Sequence, residues 1–558
     1  RHSSPHLLAG VSCLYEDETE DLDPGTKENV ARALWMSGYA PESIPPDVMS
    51  SLCGTKNHRF GERMRRRLAD LLANPERFTP DYTERYTTFC NHARDLSAHQ
   101  AYAMTNLLGL DSARGYQELP QEITFTFPCD DRPQFEYQVG WHFFVGTASD
   151  AGGREFGIQF MLWSYSLLPP EMARDEGLSD IENQIVEIHL AVTPANDRHH
   201  RPRPVLVAGT TGLIRFSENP YEYAVGKNTM TSLADDSLFP VRLRARGIDE
   251  REDAPVEIAI DLTLHQTKGY ILNGDGGLAP SCGGVGTLYY SVTNLRIRPG
   301  ESWLSIDGTR VPLTGGKFWY DHQWGTGFMP PGSPRSDLLR AVGHLHEQGP
   351  GGWDWMAIQF DDDTEIALSA LHTNDNRAFY SQTGAKPPTM AAGAKGSYIR
   401  QNGEYESITA EIRVTDWIRS AVADGPYLAT NTWYPNRVEV TVYEDAVPAK
   451  KRHFVMVPIV TTGQQGFFAA GSEYSEGAVT IESADGERIG IGFLESTGYI
   501  DARRQGLLLA GLPDTDDMIR LVSPPAVPDE MKAEVLALFQ DPEIVAKLEE
   551  ELAKCKGL

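Results

Sequence analysis

Between Glu122 and about Gly506 the chain is a succession of short runs in which apolar and polar residues alternate. EITFTF, VEIHLAV, VEIAIDLTL, TLYYSVTNLRI, EIALSALH, RVEVTVYE and AVTIES are the clearest, each bounded by Gly, Asn, Asp or Pro. A period of two marks a strand with one buried face. Almost nothing of helical period separates these runs, so the expected fold is mainly β, with antiparallel barrels or sandwiches rather than a parallel α/β sheet. With 558 residues and 41% apolar content, there is chain enough for several cores, and global disorder is excluded.

The β region contains a loose repeat. WHFFVGTASDAGGREFGIQFMLW and WDWMAIQFDDDTEIALSALH each read as a Trp-led strand, an acidic or Gly-containing turn and a second alternating strand. Two related β-domains follow from this, expected over residues 119–312 and 313–505. Residues 1–118 carry helical spacing in KENVARALWMSGYA, GERMRRRLADLLANP and HQAYAMTNLLGL, and residues 506–558 end in a helix expected to be capped by Asp529. Two barrels packed face to face leave a cleft between them, a usual place for an apolar ligand.

Charge and cysteine usage narrow the partners. Lys plus Arg number 50 against 78 Asp plus Glu, a net charge of −28, which repels nucleic acid. No run of about 18 apolar residues is present, so no membrane-spanning helix is expected, while peripheral contact stays open. Cys13, Cys53, Cys90, Cys129, Cys282 and Cys555 lie too far apart for a zinc ribbon or a dense disulfide frame. The cytoplasm is the expected compartment, with the periplasm or exterior as the alternative if a leader preceded Arg1. The oligomeric state is not legible.

The chemistry concentrates in GGKFWYDHQWGTG, where Asp321 and His322 stand among Trp319, Tyr320 and Trp324. A carboxyl buried among aromatic rings has its neutral form favoured, as a proton donor near neutral pH requires. Asp321 is therefore the first catalytic candidate and His322 the second, although strand parity sends them to opposite faces. The bland alternative is a turn aspartate beside a core histidine. GGWDWMAIQF adds Trp353 and Trp355 on one face and Asp354 on the other, and TLYYSVTNL adds Tyr289 and Tyr290. Asp275 in NGDGG lacks the Lys-Ser/Thr pair and following helix of a phosphate loop. His344 and His346 share a strand face without an evident third ligand, and His199–His200 lie in a loop, so no metal is expected. No Gly-x-Ser-x-Gly elbow is present.

Taken in order, WHFFVG with GGREFGIQF, LNGDGGL, YYSVTNL, FWYDHQWG, GWDWMAIQFDDDTEIAL, and YSEGAVTI with GFLESTGY resemble the AttH-like and carotenoid 1,2-hydratase (hydroxyneurosporene synthase) group, from about Phe125 to Tyr499. The resemblance implies two lipocalin-like antiparallel barrels. Its relatives include carotenoid hydratases, a fungal isoflavonoid hydratase and fungal Diels-Alderases that fold a polyene between the domains. It also implies that the aspartate of Asp-His-x-Trp-Gly, Asp321 here, is the proton donor. One departure is Gly140, Trp141, His142, Phe143 and Phe144, where the family has Glu-Trp-Trp-Tyr-Phe.

The expected function is a cofactor-independent hydratase, isomerase or cyclase that protonates a double bond of a hydrophobic isoprenoid or polyene. The cation would be shielded by rings such as Trp324 and Trp353. Trp141, His142, Tyr290, Trp319, Tyr320, Trp324, Trp353, Asp354 and Trp355 are the expected substrate contacts. The alternatives are a pericyclase that only folds a polyene and a non-catalytic carrier of a hydrophobic ligand.

Overall fold

A computed structural model describes residues 116–499 apart from 118, 121, 167–169, 176, 198–201, 203–204, 210–211, 251–253, 283–284, 326–349, 374–384, 420–431, 461–464, 470–471 and 498. The expected helical pieces at either end, and His199, His200, His344 and His346, lie outside the described residues. Among the described residues no helix is long and apolar enough to cross a membrane.

Two antiparallel sheets carry the structure. The first runs from the Val139–Ser149 strand to the Gly315–Gly325 strand and curls into a nearly closed barrel. The second runs from Pro350–Phe360 to Arg488–Ser496, and pairing of His453–Pro458 with Ser472–Ser483 closes eight of its strands into a barrel. Each barrel opens with one of the Trp-led hairpins: Val139–Ser149 pairs with Glu155–Ser166, and Pro350–Phe360 with Glu365–Thr373. The Gly315–Gly325 strand pairs with Val139–Ser149 on one side and Val285–Arg296 on the other. The first sheet thus extends past the break expected at residue 312, because this strand is what brings the barrel's first hairpin against its later strands.

Alternation in sequence becomes inside and outside in the barrel. In Pro255–Gln266, Ile258, Ile260, Leu262 and Leu264 enter the first core, while Asp261 points out and takes two hydrogen bonds of 2.8 Å from Arg242. Turn chemistry fixes register: Asp307 (φ 50°) and Gly308 (φ 74°) form the two-residue loop joining Ser302–Ile306 to Thr309–Leu313, which needs positive φ at both positions. The second barrel has its own core around Met356, Phe360, Tyr434, Phe454 and Tyr499.

A third apolar cluster belongs to neither lumen. Phe143, Val145, Met161 and Trp319 of the first barrel pack against Trp355, Ala357, Ala478 and Phe493 of the second, so the outer faces of the two sheets form a shared seam. Gly157 permits the closest approach, since a Cβ there would stand 2.7 Å from the Ala478 Cβ. A buried cation fastens the seam. Lys268 Nζ donates to Glu365 at 2.6 Å and to the carbonyl of Arg400 at 2.9 Å, and Asn294 Nδ2 donates to Glu365 at 2.7 Å.

Burial pushes Glu365 up to about 7 against the pull of Lys268. Lys268→Ala removes that pull and leaves a buried carboxyl without its cation, at an expected cost of about 3–5 kcal/mol. With the folded-state pKa of Glu365 raised above about 7, the variant goes on losing stability past the pH at which the parent protein levels off, so its deficit should grow between pH 7 and 9. Denaturant midpoints across that range check this; a pH-independent deficit contradicts it.

Candidate functional site

Parity on the Gly315–Gly325 strand divides the sequence cluster into two sets. Phe318, Tyr320 and Trp324 enter the first lumen, as does His322, whose ring stacks on His142 at 3.9 Å. Trp319 and Asp321 face the seam. Trp324, expected to shield a cation at Asp321, therefore lies on the other side of the sheet from it.

Asp321 is 3% exposed, with Phe143 and Ser291 as its register partners on the two neighbouring strands. Its Oδ1 accepts the Trp319 indole N–H at 2.7 Å and the Ser291 hydroxyl. Its Oδ2 accepts the Tyr289 hydroxyl at 2.5 Å. The directions of these bonds are set from behind: Asn273 Nδ2 donates to Ser291 Oγ at 2.7 Å, and the Trp355 indole of the second barrel donates to Tyr289 Oη at 2.9 Å. Indole N–H can only donate. Hydroxyls that receive from behind turn their own protons toward Asp321.

Burial nonetheless dominates and pushes the Asp321 carboxyl up to about 7, against the lowering effect of Ser291, Tyr289 and Trp319. Glu495 of the second barrel raises it further. Phe143, Trp319 and Trp355 surround the group, with Trp355 edge-on to Phe143 at 5.4 Å and to Trp319 at 6.1 Å. Half-buried Trp141 and Trp163, stacked at 4.6 Å, and half-buried Trp353 lie at the margin of the same cluster.

Two further acids share the seam. Glu495 accepts the Trp353 indole N–H at 2.6 Å, and Glu476 is its register partner on the adjacent strand. Both escaped the sequence reading, although SEGAV and FLEST lie in the motifs that carry the resemblance; a Glu on the outer face of a strand reads as solvated. On the wall contributed by the first barrel, Gln159 Nε2 donates to Tyr474 Oη at 3.1 Å, and His189 Nδ1 lies 2.6 Å from the same oxygen while its Nε2 meets Glu187.

The remaining sequence candidates stand apart from Asp321. His142 Nδ1 contacts Tyr320 Oη at 2.8 Å inside the first lumen, and His322 contacts the carbonyls of Trp141 and Arg132. Burial holds His322 down to about 4 and His142 well below its usual value, so both are neutral near pH 7. Neither can supply a proton there. Tyr290 donates to Asp131, another carboxyl that burial raises to about 7, which ties the Cys129–Asp131 turn to the barrel with help from Tyr270 at 3.2 Å. Asp354 points into the second lumen and accepts Tyr499 Oη at 2.9 and 3.0 Å. Of the expected contacts, Trp141, Trp319, Trp353 and Trp355 share the seam with Asp321, whereas His142, Tyr290, Tyr320, Trp324 and Asp354 do not. A surface recess lined by Arg154, Pro194, Asn196 and Val311 lies beyond Ser149, at the far end of its strand, and holds none of these acids.

A model of the AttH-like family matches residues 118–499, which is the whole of both barrels. The chain belongs to the AttH-like family. Solved structures similar to this member include a protein assigned as AttH from Nitrosomonas europaea, 18% identical over 69% of this chain and 100% of that one, TM-score 0.48. Kievitone hydratase from Nectria haematococca is 12% identical over 69% and 97%, TM-score 0.41. CghA is 10% identical over 69% and 97%, TM-score 0.29. No curated protein sequence matches.

The raised Asp321 carboxyl makes a prediction that needs no substrate. Relative to its ordinary 3.8, a folded-state value of about 7 makes the folded protein bind the extra proton, so stability falls as pH rises between those values. The full shift corresponds to at most about 4 kcal/mol. Asp321→Asn should melt above the parent protein at pH 8 and lose that advantage at pH 4; equal differences at both pH values contradict the assignment.

Proposed function

We propose that the protein is an enzyme that protonates a carbon–carbon double bond of a hydrophobic isoprenoid or polyene in the seam between its barrels, with hydration as the principal outcome. The observation that carries this reading is Asp321, a carboxyl buried against Trp319 and Trp355, neutral up to about pH 7 and supplied with hydrogen-bond donors at both oxygens. Burial makes the group a proton carrier at neutral pH, where a general acid is most effective. The donors already aimed at it then hold the carboxylate that remains after transfer, without reorganisation.

In this reading the indole rings nearest the acid, Trp319 and Trp355, stabilise the tertiary cation that protonation creates. Trp141, Trp163 and Trp353 stand half-buried at the margin of the seam. Water capture of the cation gives an alcohol, and loss of a neighbouring proton gives an isomer or a cyclised product. The chemistry needs only a proton and water. The aspartate that the family resemblance assigns as proton donor is the same residue.

Turnover of lycopene, squalene and farnesol by the full chain in D2O, followed by mass spectrometry, tests this. Deuterium at carbon in product or recovered substrate is expected, and Asp321→Asn should lower its rate by roughly 10²–10⁴-fold. A seam that only folds a polyene would keep its rate with Asn, and a carrier would return every probe unlabelled. Either result contradicts the proposal.

A further inference from the structure

Glu476 and Glu495 are paired in register on adjacent strands, and Glu495 is in turn the register partner of Trp355. Carboxyls directly opposite on one sheet face stand with Cβ atoms about 4.5–5.5 Å apart, a distance at which two charges repel. Glu476 is 0% exposed, and neither of its oxygens has a hydrogen-bond partner among the described donors. Glu495 has the Trp353 indole. Such a pair is stable with one proton between them, and the asymmetry of donors says where it sits: on Glu476, which donates it to Glu495. Burial raises both acids, Glu476 furthest, and the Glu476 contact lowers Glu495 while Glu495 raises Glu476.

A second group points to an occupant of this part of the seam. Gln159 from the first barrel is fully buried, and its Oε1 has no partner among the described residues although its Nε2 is bonded to Tyr474, two residues before Glu476 on the same strand face. The Asp321 system is connected to the pair through Trp355, which donates to Tyr289 and is the cross-strand neighbour of Glu495. An acid on one barrel is thus linked through one indole to a carboxyl pair on the other.

Building on the reading of Asp321 as the acid, we propose that Glu495 is the base of the same reaction and that Glu476 is its proton-sharing, positioning partner. At rest Asp321 and Glu476 each carry a proton and Glu495 is ionised. The π electrons of the substrate take the Asp321 proton, forming a C–H bond and a carbocation. A water oxygen lone pair then bonds to the cation while Glu495 removes a proton from that water; without water, Glu495 removes a C–H proton beside the cation and the C–H electrons become a new double bond. The three carboxyls still hold two protons, and return of one from the glutamate pair to Asp321 restores the resting state.

The titratable and charged neighbours act with this arrangement. His189 lowers Glu495 and Asp354 raises it, Asp321 raises Glu476, and Glu187 and Glu476 bear on Tyr474 between them. Burial raises Glu495 on balance, and the hydrogen bonds from Glu476 and Trp353 oppose that rise.

Infrared difference spectroscopy on the ligand-free full chain tests the pair without any substrate. Glu476→Gln should remove one protonated-carboxyl C=O band at pH 7, separate from the band removed by Asp321→Asn; a spectrum that keeps every band overturns the pair. With a polyene that the parent protein hydrates, Glu495→Gln should lower alcohol formation by roughly 10²–10⁴-fold at unchanged KM. It should retain Asp321-dependent deuterium exchange into recovered substrate. Glu476→Leu should move the acid limb of the pH profile upward, and Glu476→Gln, whose amide still donates to Glu495, should restore most of the rate. Hydration within tenfold of the parent protein in Glu495→Gln overturns the base. Loss of hydration in Glu495→Gln with full deuterium incorporation in Asp321→Asn would instead overturn the acid and leave the base standing.

Discussion

Ionising a carboxyl is costly where two sheets exclude water from each other, and the seam between the barrels imposes that cost on Asp321, Glu476 and Glu495 together. The rest of the molecule holds this environment in place. Each barrel fills its own lumen with side chains, so neither collapses onto the other, and their outer faces meet through Phe143, Trp319, Trp355 and Phe493. Gly157 allows the close approach and Lys268 closes one side with charge. What a lipocalin-like barrel ordinarily turns toward solvent becomes an interior.

This explains why the acids differ in character despite a common burial. Asp321 has three side-chain donors and comes to rest at about 7. Glu495 has one indole and a neighbouring carboxyl, and Glu476 has only the carboxyl. Within the glutamate pair, Glu476, which lacks the indole donor, is raised further than Glu495. That asymmetry places the shared proton of the pair on Glu476 and leaves Glu495 as its acceptor.

Strand parity made much of this legible in the sequence. The alternating runs and the repeated Trp-led hairpins implied two antiparallel barrels, and Asp321 among aromatic residues marked the acid candidate. The same parity separates Asp321 from His322 and Trp324, so residues contiguous in FWYDHQWG could not form one pocket. Gly315 and Gly316, just after the break expected at residue 312, begin the strand that pairs with the first hairpin. Glu476 and Glu495 were hidden for a different reason. Alternation says which residues point outward, but only the packing of one barrel on the other shows that this particular outer face is dry.

The protonation state of Asp321 is the most direct measure of the account. With aspartate carboxyl carbons labelled with carbon-13, the resonance absent from Asp321→Asn should titrate near pH 7 in the folded, ligand-free protein. A resonance that titrates near the ordinary aspartate value of 3.8 would show a carboxylate already charged at neutral pH, and the seam would then have no acid to give.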